Sequence, residues 1–196
     1  MSPHVTTADF SVSEVCKYLI ISQDFQGRAT FAANFAGGGN TDVQGHGTHV
    51  AGIVGGRTYG VAKSVRLYAV KALGDNGAGT ISGIIQSVNF VASDSPNRSC
   101  PNGVYVNMSI GGGFSAALNS AVRSLVDRGI FVGVAAGNSN ADVANFSPAS
   151  EPSVCTVGSS DINDAVASSS NHGALLDIYA PGRQITSAWP GGGSVS

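Results

Sequence analysis

One feature limits the possible folds of this chain more than any other. Apolar runs dense in β-branched residues alternate with stretches of helical periodicity. The runs are KYLIIS (17–22), VRLYAVKAL (65–73), VYVNMSI (104–110), IFVGVAA (130–136), SVCTVGS (153–159) and LLDIYA (175–180). Their hydrophobicity is continuous rather than alternating, which predicts strands covered on both faces, as in a parallel sheet. Between them, Ile81, Ile84, Ile85, Val88 and Val91 mark one helix face. Leu118, Ala121, Val122, Leu125 and Val126 mark another, with Gly129 as its stop. HGTHVAGIVGG is a third helix, with Val50, Ala51, Ile53 and Val54 expected to pack inward. Strand–helix–strand repetition predicts an α/β domain with helices on both faces of the sheet. No internal boundary or repeat interrupts it, and the C-terminal PGGGSVS reads as a loop.

Composition excludes several functions. Only 11% of residues are charged, against about a quarter in ordinary domains, and 42% are hydrophobic, so disorder is not expected. Ten scattered Lys and Arg with a net charge of -2 argue against nucleic-acid binding. No apolar run approaches the roughly 20 residues of a membrane span. The first residues have neither the basic nor the apolar region of a signal peptide. The three cysteines, Cys16, Cys100 and Cys155, lie too far apart for a zinc or redox motif. They read either as three buried thiols or as one long-range disulfide with one cysteine left over.

In a parallel sheet, function collects beyond the carboxyl ends of the strands. There SIGGG (109–113) ends one strand and AAGNSN (135–140) the next. Two glycine runs at one edge, beside a helix that starts Gly-His-Gly, suggest a cleft that takes an extended peptide. His46 and His49 lie three apart on the helix. A metal site there would lack the Glu of an HExxH motif and a nearby third ligand.

GHGTHVAG, SIGGG, AAGNSNAD and SPASEPSVCTVGSSD, in that order, resemble the subtilisin-like serine proteases, in particular the proteinase K subfamily. The resemblance runs from about Cys16 to Ser196. It implies a three-layer α/β fold with a mostly parallel sheet, incomplete at the C-terminus. Residues 1–15 would then be a poorly defined N-terminal segment and 16–196 a partial peptidase domain. His46 matches the general base, an imidazole suited to taking a proton from a serine hydroxyl and returning it to the leaving amine. His49, one turn on, would be structural. Asn138 matches the residue whose amide stabilises the oxyanion. Gly77, Ala78 and Gly79, with Ser109, Ile110 and Gly111, match the two segments that hold the substrate strand by backbone hydrogen bonds. Ala135, Ala136 and Gly137 match the wall of an open pocket, which implies broad specificity with an apolar taste. The carbonyls of Pro152 and Val154 and the carboxylate of Asp177 match a structural calcium site made of hard oxygens. Cys16 and Cys100 match a disulfide, and Cys155 a half-cystine whose partner lies in a segment this chain does not contain. The resemblance further implies polypeptide substrates, no catalytic cofactor, an extracellular location and a monomer, with no membrane or nucleic-acid partner.

Two matches fail. The base-orienting aspartate falls on Ile21, followed by Ser22, and Ile21 accepts no hydrogen bond. Asp24 is the nearest carboxylate in sequence, and it reaches the role only if the strand register shifts. The nucleophile's Gly-Thr-Ser-Met-Ala is absent. Ser194 and Ser196 lack its turn and the helix that follows, so apolar sheet surface should stand exposed. Two functions fit: a serine endopeptidase whose chain here lacks the family's Asp and Ser, or an inactive homologue that binds peptides or regulates a protease.

Overall fold

The structure is a computed structural model; it describes residues 10–12 as backbone and residues 22–196 in full. The strands are β1 (Phe10–Val12), β2 (Ala29–Asn34), β3 (Leu67–Lys71), β4 (Tyr105–Met108), β5 (Gly112–Gly113), β6 (Phe131–Ala135), β7 (Phe146–Ser147), β8 (Cys155–Ser160), β9 (Ile178–Pro181), β10 (Ser187–Ala188) and β11 (Ser194–Val195). The α-helices are α1 (His46–Gly55), α2 (Ile81–Asp94) and α3 (Ala116–Val126). Among the described residues, seven strands form the main sheet, in the order β2-β3-β1-β4-β6-β8-β9. It is parallel from β4 to β9 and between β2 and β3. Only β1 runs antiparallel to its neighbours. β1 falls within the 1–15 segment, and the expected strand 17–22 lies outside the described residues apart from Ser22.

Side-chain alternation sets the layers. On β3, Leu67 meets α1 at Gly55, while Tyr68 and Val70 line a hollow with Phe90 and Val91 of α2. Neighbouring residues of a strand point to opposite faces, so α1 and α2 lie on opposite sides of the sheet. Val106, Met108, Val132 and Val134 continue the α2 face and are fully buried. The helices start where the sequence allows: Thr80 Oγ1 accepts from Gly83 N at 3.1 Å and Ser115 Oγ from Leu118 N at 3.3 Å, each satisfying an otherwise orphaned donor. Gly129 at φ +78° ends the turn after α3, where a left-handed residue is needed. The opposite face of β4, β6, β8 and β9 has no helix over it among the described residues. Tyr105 stacks on Phe131 there at 5.3 Å; Phe131 is 56% exposed and Ile178 55%, so the expected apolar sheet surface is present.

Three expectations need correction. β2 gave no strand signal, because Ala29-Thr30-Phe31-Ala32-Ala33-Asn34 is poor in β formers. It pairs with β3 through a register shift between Phe31 and Ala33. Within PGGGSVS, Ser194 and Val195 pair with Ala188 and Ser187 rather than staying a loop. On α1 the fully buried residues are Gly47, Thr48, Ala51, Gly52 and Gly55. Val50, Ile53 and Val54 are only half-buried, because the helix's close contacts are made where its side chains are smallest. No helix among the described residues is long and apolar enough to cross a membrane.

Candidate active site

The N-terminus of α1 is held from outside the helix. Its N-cap is Gly45 at φ +91°, which supplies no side-chain cap. Asp42 reaches forward instead. Oδ1 accepts from Gly45 N at 2.7 Å, and Oδ2 accepts from Thr48 N at 2.8 Å and Thr48 Oγ1 at 2.6 Å. A carboxylate at a helix N-terminus also suits the helix dipole. Sequence reasoning passed over Asp42, although an acid just ahead of an apolar helix is a recognisable cap signal.

His46 is the first residue of that helix. Its pKa is lowered to about 4, chiefly by burial and secondarily by positive charge on His49, with Asp42 opposing. Its Nδ1 is buried and has no hydrogen-bond partner among the described residues. The ring is therefore neutral at pH 7 and a weak base, whereas general-base catalysis works best with a pKa near the operating pH.

The small residues of α1 admit the β10–β11 hairpin. A Cβ at Gly52 would meet Ser187 Oγ, and one at Gly45 would run into the Trp189 ring. Ser187 Oγ donates to His49 O at 2.7 Å. His49 Nε2 lies 2.9 Å from Ile185 O and 3.2 Å from Val195 O. Both partners are carbonyls, so Nε2 carries the proton and donates. His49 thus pins the hairpin to the helix, the structural part expected of it. Ser194 sits in this hairpin and Ser196 follows it, exposed.

Asp24 lies at the other end of α1. Its Oδ1 accepts from Thr58 N at 2.6 Å, its carbonyl accepts from Arg57 N at 2.8 Å, and its Oδ2 is buried against Gly56. The length of the helix, roughly 14 Å at 1.5 Å per residue, separates it from His46. Asp24 therefore serves the helix C-terminus, not the imidazole. Ile21 lies outside the described residues.

The two expected peptide-binding segments converge. Gly77, Ala78 and Gly79 face Ile110 and Gly111 across a cleft of about 200 Å³, floored by Leu73, Ile84 and Leu118. Ser109 does not line it; its Oγ accepts from Asn107 Nδ2 at 2.9 Å. Ala135, Ala136 and Gly137 end β6 outside this cleft, with Ala136 buried and Gly137 at φ +99°. Asn138 follows, exposed.

The loop carrying Asn138 is fixed by a residue that sequence reasoning missed. Asn171 is wholly buried. Its Nδ2 donates to Ala136 O at 2.8 Å, and its Oδ1 accepts from Ser139 N at 2.9 Å and Ala141 N at 3.1 Å. Its backbone N–H donates to Gly137 O at 2.9 Å. One amide therefore bonds both sides of Asn138. Nothing in SSSNHG announces this, because the partners lie about thirty residues earlier.

Asp177 is exposed at the foot of β9. Its Oδ2 accepts from Thr156 N at 2.7 Å, which sets the carboxylate beside the turn that contains Pro152 and Val154. Burial, and secondarily the charge on Asp177, pushes the Cys155 thiol up. The donor set is one carboxylate and two carbonyls. It suits a hard cation, with water completing the six to eight ligands calcium takes. Among the described residues, no three His, Cys, Asp or Glu side chains come together to hold a metal ion. Cys100 is half-buried, and Cys16 lies outside the described residues.

A mostly parallel sheet with helices on both sides and an apolar cleft beyond the strand ends define an α/β domain. Comparison with known proteins gives the family. The Peptidase_S8 subtilase family model matches residues 22–195, and the chain belongs to that family. It is 54% identical over 166 residues to a cuticle-degrading protease of Metarhizium anisopliae, covering 85% of this chain and 43% of that protein. It is 52% identical to proteinase R and 49% identical to proteinase T, both of Parengyodontium album. The match to proteinase T covers 95% of this chain and 66% of that protein. These are relatives of the proteinase K kind. The crystal structure of a cold adapted subtilisin-like serine proteinase superposes with a TM-score of 0.82 at 45% identity, over 90% of this chain and 64% of that one. The chain thus spans less than half the length of several of the relatives it matches.

Proposed function

We propose that this chain is part of an extracellular serine endopeptidase that cleaves polypeptides with broad, apolar-leaning specificity, and that the chain as it stands turns nothing over. His46 is the general base and Asn138 the oxyanion donor. The observation that carries this is the buried Nδ1 of His46 with no hydrogen-bond partner among the described residues. A histidine in a serine protease uses one nitrogen on the nucleophile and gives the other to a carboxylate that fixes its tautomer and raises its basicity. Here that second nitrogen is buried and has no acceptor among the described residues. By the resemblance, the family's aspartate falls on Ile21, whose side chain accepts no hydrogen bond. The chain contains no Gly-Thr-Ser-Met-Ala to supply a nucleophile.

The apolar cleft between residues 77–79 and 110–111 supports binding without turnover. Calorimetry with a short apolar peptide should give measurable affinity. A fluorophosphonate probe should leave the chain unlabelled; labelling would sink the proposal. The catalytic assignment is tested in a chimera that carries Ile21→Asp and the remaining C-terminal length of proteinase T. It should hydrolyse a chromogenic apolar peptide and lose that activity with His46→Ala. A chimera that folds and binds the peptide but cleaves nothing would remove His46 from its role.

Calcium belongs to the same reading. The Pro152 and Val154 carbonyls with Asp177 would hold it, and it would tie the β8 entry to β9. It supplies stability only, and no step of catalysis passes through it.

A further inference from the structure

The chain contains three Asn-X-Ser triplets, at Asn97-Arg98-Ser99, Asn107-Met108-Ser109 and Asn145-Phe146-Ser147. Such a triplet is an acceptor for N-linked sugar only where the asparagine and the hydroxyl two residues on can both be reached. The fold treats the three differently.

Asn107 lies inside the main sheet, between Val106 and Met108, both fully buried. It is in register with Ser11 on one side and Gly133 on the other. Its side chain is half-buried, and Asn107 Nδ2 and the Ser109 hydroxyl are bonded to each other at 2.9 Å, so neither is free for the transfer. Asn145 is exposed, but its Ser147 is 1% exposed. That hydroxyl is engaged with Ser115, accepting from its N–H at 2.9 Å and donating to its carbonyl at 3.3 Å. Asn97 and Ser99 are both exposed. The residue between them is turned inward: Arg98 Nε donates to Asp94 at 2.8 Å and its guanidinium lies over the Tyr68 ring at 3.9 Å. Anchoring Arg98 leaves its two neighbours facing solvent.

We infer that Asn97 is an N-glycosylation site and that it is the occupied one of the three. The step is a glycosyl transfer. Asn97 Nδ2 attacks the anomeric carbon of a lipid-diphosphate-linked oligosaccharide. A C–N bond forms, the C–O bond to phosphate breaks, the lipid diphosphate leaves, and the amide proton passes to solvent. The local structure survives the change. Asn97 Nδ2 donates to Ser93 O at 3.0 Å, and a glycosylated amide keeps one N–H for that bond. Function is not obstructed either. Ile81 and Ile84, at the start of α2, line the peptide cleft, while Asn97 lies past the helix's far end, about 20 Å away along 14 residues of helix. The inference rests on the extracellular reading, because the transfer takes place in the secretory lumen.

The test forces entry, so that the two readings fail separately. The full chain behind a cleavable secretory leader is translated with microsomes and kept only where added protease cannot reach it. One endoglycosidase-sensitive mobility step is expected. Release in heavy-oxygen water should convert residue 97, and no other asparagine, to labelled aspartate. Asn97→Gln and Ser99→Ala should each lose the step, Ser99→Thr should keep it, and Asn107→Gln and Asn145→Gln should leave it unchanged. A protected chain with no sugar, or a step that survives Asn97→Gln, overturns the inference. Finding the native protein only in the cytosol would instead overturn the extracellular reading and leave the forced-entry result standing.

Discussion

Replacing Asn171 by alanine tests whether the loop around Asn138 is held as the structure indicates. The substitution removes three side-chain hydrogen bonds, to Ala136 O, Ser139 N and Ala141 N. They are not worth the same. Ala136 is 1% exposed, so its carbonyl is left without a partner or with a trapped water, at a cost of about 1–3 kcal/mol. Ser139 is exposed and Ala141 half-buried, so water can reach those donors, and each bond counts for about 0.5–1 kcal/mol. The sum is about 3 kcal/mol, which at ~2–4 °C per kcal/mol for a chain of this size lowers Tm by about 6–12 °C. A thermal melt reads the total, and amide hydrogen exchange reads the location. Ser139 and Ala141 should lose protection while Val134 and Thr156, in the sheet beside them, keep theirs. Asn171→Asp separates hydrogen bonding from volume. It keeps the acceptor for Ser139 and Ala141 but sets an oxygen against Ala136 O, so at neutral pH it should cost at least as much as alanine. A loss under about 1 kcal/mol for the alanine variant, or unchanged exchange at Ser139 and Ala141, would refute the reasoning.

His46 gives a pH signature. Its folded pKa of about 4 lies below the unfolded 6.5. Its contribution is therefore complete above pH 6.5 and is lost as pH falls towards 4, by about 3 kcal/mol at ~1.4 kcal/mol per unit. His46→Gln should flatten the stability slope across that window, and equal slopes in denaturant titrations would contradict the burial. Asp42→Ala removes the cap of α1 and should cost about 2 kcal/mol, the upper end for a cap because three donors lose their acceptor; equilibrium urea unfolding measures it. Gly45→Ala combines a φ of +91° with a Cβ aimed at Trp189, the only tryptophan of the chain. Its indole emission should shift to the red as the hairpin lifts, and an unchanged spectrum would count against the packing of Trp189 on α1. Calcium should raise the melting temperature of the chain and not that of Asp177→Asn; a chelator without effect on the parent chain argues against the site.

What the sequence discloses and what it hides follow from the range of the interactions. Strands β3, β4, β6, β8 and β9 and helices α2 and α3 lie where periodicity places them, because burial on two faces leaves a continuous apolar run and burial on one helical face leaves a 3.6-residue beat. β2 escapes because its alanines and asparagine carry no such mark, and its place is set by pairing with β3. Strand ends alone marked SIGGG and AAGNSN, of which only the first lines the cleft; residues 77–79 were indicated by the resemblance.

The polar framework was not legible, and α1 shows why. Its glycines permit a close approach, but sequence does not name what makes it. Ser187, Ala188 and Trp189 do so from more than 130 residues away, with His49 tied to Ile185 and Val195 across the same gap. Asp42, Asp24 and Asn171 are likewise ordinary loop residues until the fold brings backbone donors to them. The same geometry sharpens the reading of His46. Neither of the two carboxylates described at the ends of α1 is free to serve it. Asp42 spends both oxygens on the helix N-terminus, and Asp24 sits at the opposite end of α1. The orphaned Nδ1 is therefore not a matter of one side-chain rotation. The substitution that should raise the basicity of His46 is Ile21→Asp, at the position where the resemblance expects the family's aspartate, rather than any change within the helix.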